Sequence, residues 1–187
     1  MEYSDADIEL IALCQQGDRQ AFNRLVMQYQ NLVYNFLYRL TPRGDHVEDL
    51  AQEVFIKVYR SIKKLKDRAQ FKSWLHKIAV TVYIDEQRRQ KKHRERLVID
   101  ERVLAAQPDP GDTPGQQMER AELQTRLQQA IDELPEEFKL AIVLREIQEL
   151  SYEEIAQALT CSIGTVRSRI FRGRQLLQQM LKDQLAS

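Results

Sequence analysis

The sequence predicts an all-α protein that consists of two small helical domains joined by a flexible linker. Apolar residues recur three and four positions apart through most of the chain, whereas no run of Val, Ile and Thr alternates in the manner of a half-buried strand. Three of the five prolines and two of the six glycines fall between residues 96 and 117, which neither a helix nor a compact core would tolerate. We therefore expect domains at residues 1–95 and 118–187, with residues 96–117 as the linker.

The composition excludes several classes of protein. No apolar run approaches the roughly 20 residues that a membrane-spanning helix requires, and the acidic start MEYSDADIEL lacks the pattern of a secretory signal. Cys14 and Cys161 lie far apart without a metal-binding spacing, so both are interpreted as packing residues. The sequence contains no catalytic triad pattern, metal-ligand cluster or phosphate-binding glycine loop. We expect a cytoplasmic protein that is not an enzyme and has no metal or cofactor.

Charge is distributed unevenly along the chain, although the formal net charge is zero. The stretch from Lys57 to Arg94 contains thirteen Lys or Arg residues and three acids, whereas the linker is acidic. A second basic cluster lies near the C-terminus and consists of Arg167, Arg169, Arg172 and Arg174. Positive charge concentrated in both domains favours a nucleic-acid partner.

Four helices are predicted in the first domain, because apolar positions mark one face of each segment and turn residues separate the segments. Gly17 ends the first helix, and Asp18 can cap the second by accepting hydrogen bonds from its free amides. A polar loop at Lys63 to Gln70 precedes the fourth helix. The predicted helices are Asp5–Gln16, the segment between Asp18 and Thr41, Val47–Ile62 and Phe71–Glu95.

Four helices are also predicted in the second domain, and the last two form a helix-turn-helix. Ser151 and Glu154 have the spacing of a capping box, and Ser162 can cap the last helix after a turn of about three residues. The predicted helices are Met118–Glu133, Glu136–Ile147, Ser151–Leu159 and Ile163–Leu181.

The last helix has the pattern of a recognition helix. At about 100° per residue, its core face contains Ile163, Val166, Ile170, Gly173 and Leu177. The opposite face contains Gly164, Ser168, Phe171 and Gln175, flanked by Arg167 and Arg172. Such a face combines donors for guanine or phosphate with apolar atoms for thymine methyl groups, as recognition in the major groove requires. The alternative is a solvated basic helix end that recognises no sequence.

The fourth helix has apolar residues on both of its sides. The side predicted to face the core contains Phe71, Trp74, Leu75, Ile78, Val82 and Arg89. The outer side contains Val80, Tyr83 and Ile84 among His76, Lys77 and Gln87. Exposed apolar residues framed by cations suit unstacked bases and their backbone, and a contact with another helix or subunit is the alternative. A row formed by Lys77, Thr81, Asp85 and Arg88 either hydrogen-bonds a base edge or forms a salt-bridge ladder.

These segments occur in one order that closely resembles the extracytoplasmic-function sigma factors of bacterial RNA polymerase, which contain the sigma domains called region 2 and region 4. The segments that carry the resemblance are DLAQEVFIKVYRSI, FKSWLHKIAVTVYIDEQRR, ELPEEFKLAIVLREIQELSYEEIA and GTVRSRIFRGR. The resemblance implies a subunit that directs the polymerase core to promoters and helps to open the DNA. It also implies a stress or envelope response, control by an anti-sigma protein, and contacts with the clamp coiled coil of the largest subunit and with the flap region.

The resemblance also implies roles for individual residues. The polymerase-binding residues are Asp49, Gln52, Glu53, Phe55 and Ile56. The residues expected to bind and melt the minus-10 element are Lys77 and Tyr83, from the helical pattern, and Thr81, Asp85, Arg88 and Arg89, from the resemblance. The minus-35 residues are Arg167, Ser168, Phe171 and Arg172, and the phosphate contacts are Arg145, Arg169 and Arg174. Relatives have Asn at the position of Thr81 and near Asp85, so the preferred base stays open, because hydroxyl and carboxylate groups offer different donors and acceptors.

The loop from Leu65 to Gln70 resembles the base-capturing loop of this family, and the linker resembles the segment that the family threads toward the polymerase active centre. Promoter elements roughly 16 base pairs apart are separated by about 55 Å. A linker of about 22 residues spans at most roughly 70 Å. The linker is therefore long enough to connect two domains bound at both elements.

Two other functions are considered for the same pattern. A two-domain regulator that binds an operator as a dimer predicts stable dimerisation and tight autonomous DNA binding. A sigma factor is instead expected to be a monomer when free and to bind promoter DNA weakly until polymerase joins it. An anti-sigma or adaptor protein would use the apolar surfaces for protein contacts alone, which leaves the outward arginines of the last helix unexplained.

Overall fold

The computed structural model describes residues 5–41, 46–96 and 116–185, and the side chains at 6–41, 46–92 and 125–182. Every regular element in these ranges is helical, which confirms the all-α prediction. Most of the predicted linker lies outside the described ranges. None of the helices within them combines the length and apolar character needed to cross a membrane. The helices are α1 Asp5–Gln16, α2 Arg19–Leu40, α3 Val47–Ser61, α4 Phe71–Arg96, α5 Gln116–Glu133, α6 Glu136–Ile142, α7 Tyr152–Leu159 and α8 Ile163–Leu185.

Three of the described helices, α2, α7 and α8, begin directly after a residue whose side chain caps them. The first residue of α7 is Tyr152, one position after the predicted start. Asp18 accepts hydrogen bonds from two amides in the first turn of α2, at 2.8 and 3.0 Å. Ser151 and Glu154 form the predicted capping box of α7. Ser162 accepts an amide hydrogen bond from the first turn of α8 at 3.1 Å. The predicted caps are therefore confirmed.

The first domain consists of α1 to α4, which bury their apolar faces against one another. Its fully buried residues include Ile11 on α1, Val33, Phe36 and Leu37 on α2, Val54 and Val58 on α3, and Phe71 and Leu75 on α4. The predicted loop before α4 contains two short 3-10 turns, Ile62–Lys64 and Arg68–Gln70. Gln15 of α1 donates to the carbonyls of Ile62 and Leu65 at 3.1 and 2.8 Å. These bonds fix the start of the loop against α1.

The second domain is built around the packing of α6 against α8. The two helices approach closely at Gly173, where a β-carbon would lie 2.7 Å from Cγ1 of Ile142. The segment predicted as one helix from Glu136 to Ile147 is α-helical only to Ile142 and continues as a π turn, Val143–Ile147. At its end the amide of Gln148 donates to the carbonyl of Val143, five residues back, at 3.1 Å.

The two domains pack against each other, with α4 against α7 and α2 beside the π turn. Their buried residues form one continuous cluster. Among the described residues, polar contacts that cross the boundary include those of Tyr83 with Glu136, His76 with Gln148, and Arg39 with Gln128. We call this packing of α2 and α4 against the second domain the closed arrangement.

Candidate nucleic-acid interface

The outer face of α8 presents the side chains predicted to contact duplex DNA. Val166 and Ile170 are buried in the core, which turns the opposite side of the helix to solvent. Phe171 is 63% exposed on that side. The exposed residues around it are Arg167, Ser168 and Arg172. The predicted outer face is confirmed, whereas the predicted core residue Ile163, which is the first residue of the helix, is 37% exposed.

Two of the predicted phosphate contacts on α8 are paired with carboxylates of the same domain. Arg169 donates to Glu137 at 3.1 Å, and Arg174 donates to Glu146 at 2.6 and 3.0 Å. The hydrogen bonds that Arg174 donates to Glu146 raise the pKa of Arg174 above its ordinary value. Exposed ion pairs of this kind contribute about 1 kcal/mol or less, so a phosphate group can replace the carboxylate at little cost.

Arg145, the third predicted phosphate contact, is half-buried and held on two sides. It donates to the carbonyl of Leu150 at 2.7 Å, and its guanidinium carbon lies 5.1 Å from the ring centre of Tyr152. Arg167 of α8 approaches the same ring, with its guanidinium carbon 5.9 Å from the centre. Both distances are within the range of cation–π interactions. Tyr152 therefore links an arginine of the π turn with an arginine of α8.

The outer side of α4 differs from the prediction. Val80 and Tyr83 were placed on an exposed surface for single-stranded DNA, but Tyr83 is 1% exposed and Val80 is buried as well. His76, predicted beside them, is also fully buried. The prediction of an exposed Tyr83 is wrong for the closed arrangement, because the second domain covers this side of α4. A contact with another helix, the alternative considered from the sequence, is what the structure contains.

Tyr83 is held by polar groups from both domains. Its hydroxyl lies 3.1 Å from the carbonyl oxygen of Leu40 and 3.2 Å from Oε2 of Glu136, and can donate its proton to either. Burial, with the nearby Glu136 carboxylate, raises the pKa of Tyr83, so the hydroxyl stays protonated. Burial also raises the pKa of Glu136. The phenol therefore acts as a hydrogen-bond donor across the domain boundary.

His76 forms the second polar contact across the boundary. Its Nδ1 lies 2.8 Å from the carbonyl oxygen of Lys72, so this nitrogen carries a proton and donates it. Burial lowers the pKa of His76, which favours the neutral ring. The other nitrogen, Nε2, is then an acceptor and lies 3.2 Å from Oε1 of Gln148. A neutral ring would need a donor here, which the Gln148 side chain would supply if the oxygen and nitrogen of its amide were exchanged.

The row along the edge of α4 is in part the salt-bridge ladder considered from the sequence. Asp85 pairs with Lys57 of α3 at 3.3 Å and with Arg88 at 3.9 Å, as a salt-bridge ladder would. The Thr81 hydroxyl donates to the carbonyl of Lys77 at 2.8 Å. Thr81, Lys77 and Arg88 are all exposed. Three members of the row therefore remain accessible, whereas Asp85 is held by α3.

Arg89 was predicted both to lie on the core side of α4 and to contact the DNA backbone. The side chain is 62% exposed and pairs with Glu53 and Glu86, each at 3.4 Å. It does not belong to the core, because α4 extends past the apolar face of α3 at this point and meets its acidic side. The exposure is compatible with a backbone contact.

The surface of α3 retains most of the residues predicted to bind the polymerase. Asp49, Gln52 and Ile56 are exposed, with 43% of Ile56 accessible, and Glu53 is half-buried through its ion pairs. Phe55 is only 8% exposed. Its prediction as a surface contact is wrong, because it lies on the buried face of the helix with Val54 and Val58 and packs into the core.

An open cleft of about 800 Å³ lies between the loop before α4 and the helix-turn-helix. Trp74, which the sequence pattern assigned to the core, is half-buried and forms part of the cleft wall. The other residues of the cleft are Lys64, Leu65, Lys66, Asp67, Gln70, Ser73, Lys77, Ala156, Gln157, Thr160, Cys161 and Ser162. In the sequence, the position of Trp74 directly after a lysine-rich loop is the feature that could have indicated this site. Only the fold shows that the indole reaches the cleft.

Comparison with known proteins relates both domains to sigma factors. Residues 25–93 match the family described as Sigma-70 region 2, and residues 124–177 match Sigma-70, region 4. The chain is 41% identical over 185 residues to the ECF RNA polymerase sigma-E factor of Haemophilus influenzae, covering 94% of this chain and 95% of that protein. It is 35% identical over 193 residues to the RNA polymerase sigma-H factor of Pseudomonas aeruginosa, covering 97% and 96%.

Two solved structures share the fold of this chain. CnrH in complex with the cytosolic domain of CnrY has a TM-score of 0.69 at 23% identity and covers 96% of this chain and 99% of its own. The sigma factor RpoE from Bartonella quintana, in complex with the anti-sigma factor NepR, has a TM-score of 0.70 at 23% identity and covers 86% and 96%.

Proposed function

The chain belongs to the extracytoplasmic-function (ECF) sigma factors of RNA polymerase, and we propose that it directs the polymerase core to particular promoters and helps to open the DNA there. Sigma factors regulate transcription rather than catalyse a reaction, so binding energy must drive both promoter recognition and the opening of the DNA. We assign region 2 to residues 1–95, the linker to 96–117 and region 4 to 118–187, which the family matches at 25–93 and 124–177 support.

The outer face of α8 is the observation that carries this proposal. Arg167 and Arg172 supply donors for guanine edges, Ser168 supplies a small hydroxyl, and Phe171 supplies apolar surface for a thymine methyl group. A phenylalanine that is 63% exposed beside arginines has no role in the core of the domain. We propose that these side chains recognise the minus-35 element, while Arg145, Arg169 and Arg174 contact phosphates and orient the domain.

Recognition of the minus-10 element is proposed for the exposed edge of α4 and the adjoining cleft. Lys77, Thr81 and Arg88 are accessible, so they can contact a separated strand without movement of their own helix. Trp74 offers a partly exposed ring on which an unstacked base can stack, and the lysines around it attract the backbone. Stacking at about 1 to 3 kcal/mol per base offsets the few kcal/mol that extrusion of a base costs.

Binding to the polymerase core is proposed for the exposed surface of α3. Asp49, Gln52 and Ile56 combine a carboxylate, an amide and an apolar side chain on one accessible face. Such a combination suits a helical partner, because an apolar centre is surrounded by groups that pair with polar residues. The clamp coiled coil of the largest subunit is the partner that we propose, with the flap region as the partner of the second domain.

The closed arrangement has a consequence for this function. It covers Tyr83 and His76 on α4, so the two domains must separate before that side of the helix can meet DNA. We propose that the polymerase core stabilises the separated domains and that an anti-sigma protein opposes this by binding the closed protein. The complex of RpoE with NepR supports such a partner, and a stress or envelope response is the setting proposed for its release.

Run-off transcription with bacterial core polymerase, with and without this protein, tests the proposal on a library of promoter fragments. We expect initiation that depends on the protein and selects particular sequences. Arg172→Ala should reduce discrimination at the minus-35 element by about 1 to 3 kcal/mol, whereas Gln178→Ala, an exposed position on the same helix, should not change it. Tight operator binding by a stable dimer without polymerase would instead support the regulator.

A further inference from the structure

Tyr152 lies where three elements of the second domain meet. It is the first residue of α7, Arg145 comes from the preceding π turn, and Arg167 comes from the second turn of α8. The two guanidinium carbons lie 5.1 and 5.9 Å from the centre of its ring. One aromatic ring therefore contacts both an arginine proposed to bind phosphate and an arginine proposed to recognise a base.

The ring is better fixed than either arginine. Tyr152 packs against the core of the domain, and the residue before it is held by the capping box of Ser151 and Glu154. Arg145 has a second anchor, the Leu150 carbonyl at 2.7 Å. Arg167 is exposed, and contact with the ring is the interaction that the structure gives its guanidinium group.

A long exposed side chain loses rotamer freedom when it forms a specific contact with DNA, and that loss weakens binding. An aromatic face close to the guanidinium group restricts its positions before DNA arrives. The negative face of the ring also offsets the repulsion between two arginines that approach one site. Both effects keep the charged group of Arg167 on the outer side of α8.

We propose that Tyr152 is a positioning residue for sequence recognition, which acts by holding Arg167 toward the base edge. This inference rests on the proposed function of α8. The ring, and not the hydroxyl, has this role, because both arginines are within cation–π distance of the ring centre. Arg145 is oriented by the same ring but contributes to phosphate binding, which does not distinguish sequences.

The test compares Tyr152→Phe with Tyr152→Leu in the complete protein bound to core polymerase. The readout is the ratio of transcription from a promoter with an intact minus-35 element to transcription from one with that element scrambled. This ratio cancels any change in the amount of active protein. We expect Tyr152→Leu to lower the ratio roughly 3- to 10-fold, as loss of a cation–π contact predicts, and Tyr152→Phe to keep it within about twofold.

A Phe variant as impaired as the Leu variant would overturn the inference, because the hydroxyl would then be the important group. An unchanged ratio for Tyr152→Leu would overturn it too. In an Arg167→Ala background, Tyr152→Leu should change the ratio less than about twofold, since its effect passes through Arg167. If both Arg172→Ala and Tyr152→Leu leave the ratio unchanged, the proposed function of α8 is wrong. If Arg172→Ala lowers the ratio and Tyr152→Leu leaves it unchanged, only the inference about Tyr152 is wrong.

Discussion

The outer faces of α8 and α4 differ in what they present to solvent. Phe171 on α8 is 63% exposed among exposed polar side chains, whereas Tyr83 on α4 is 1% exposed and donates a hydrogen bond across the domain boundary. Each face carries an aromatic residue beside cations, yet one is open and the other is covered. The open face is accessible without any rearrangement. The covered face becomes available only after the domains separate, so under the proposed function minus-35 recognition does not depend on domain separation, whereas any contact of DNA with the covered side of α4 does.

Substitution of the two aromatic residues gives the largest expected difference between the faces. Tyr83→Ala removes a buried ring and should lower the free energy of unfolding by about 3 to 5 kcal/mol. Phe171→Ala should change it by no more than about 0.5 kcal/mol because the ring is exposed. Urea denaturation of both variants measures this. Equal losses would contradict the burial of one ring and the exposure of the other.

A smaller effect is expected from Gln148→Leu, which removes the partner of a buried histidine. Nε2 of His76 would keep no hydrogen bond in the closed arrangement, at a cost of about 1 to 3 kcal/mol. Water can satisfy this nitrogen once the domains separate. We expect a larger radius of gyration by small-angle X-ray scattering, with Gln178→Leu on the exposed side of α8 as the control. An unchanged radius together with unchanged stability would show that this contact does not hold the domains.

Acidification should weaken the closed arrangement through the same histidine. Burial lowers the pKa of His76, so the ring binds a proton more readily once exposed. The contribution of His76 is therefore complete above the ordinary histidine pKa of about 6.5 and is lost as the pH falls below it. Lys72 and Glu154 are the charged groups that influence this ring, and they act in opposite directions.

Scattering at pH 7.5 and 5.5 measures this effect, with His76→Gln as the control. The radius of gyration should increase at the lower pH in the natural protein and change less in the variant. Glu136 and Asp132, whose pKa values burial raises, take up protons more readily in the closed arrangement and so favour closure on acidification. An equal response of both proteins would assign the pH dependence to groups other than His76.

The smallest effect concerns the contact at the end of α2. Arg39 donates to the side chain of Gln128 at 3.1 Å, and the Gln128 amide donates back to the Arg39 carbonyl at 3.1 Å. Arg39→Ala removes the first bond and keeps the second. Thermal unfolding should show a loss of about 0.5 to 1 kcal/mol, against no loss for Arg24→Ala on the exposed side of α2. If Arg39→Ala lowered the stability as much as Gln148→Leu does, the contact of Arg39 with Gln128 would hold the domains together as strongly as that of His76 with Gln148.

Local signals explain which parts of the fold could be predicted from the sequence. Asp18, Ser151 and Ser162 act on amides two or three residues away, so their sequence neighbours determine where the helices begin. The exposed face of α8 followed from its periodicity, because Val166 and Ile170 pack within their own domain. The π turn did not follow, since its five-residue hydrogen bond uses the same residue types as an α-helix.

The covered side of α4 depends on residues far away in the chain. Tyr83 is paired with Glu136, which is 53 positions away, and His76 with Gln148, which is 72 positions away. The sequence showed that apolar residues occupy both sides of this helix, but not whether DNA, another subunit or the second domain covers the outer one. The burial of Phe55 comes from its position beside Val54 and Val58 on the apolar face of α3, whereas the family resemblance had assigned it to polymerase binding.

The π turn connects the two faces compared above. It places Arg145 against Tyr152 on the side of the recognition helix, and immediately after it Gln148 meets His76 at the domain boundary. A π turn behaves as an α-helical turn with one inserted residue. Deletion of that residue would restore ordinary α-helical bonding and rotate Arg145 relative to Gln148 by about 100°. The single inserted residue therefore sets the register in which one short segment serves both domain closure and the DNA recognition that we propose.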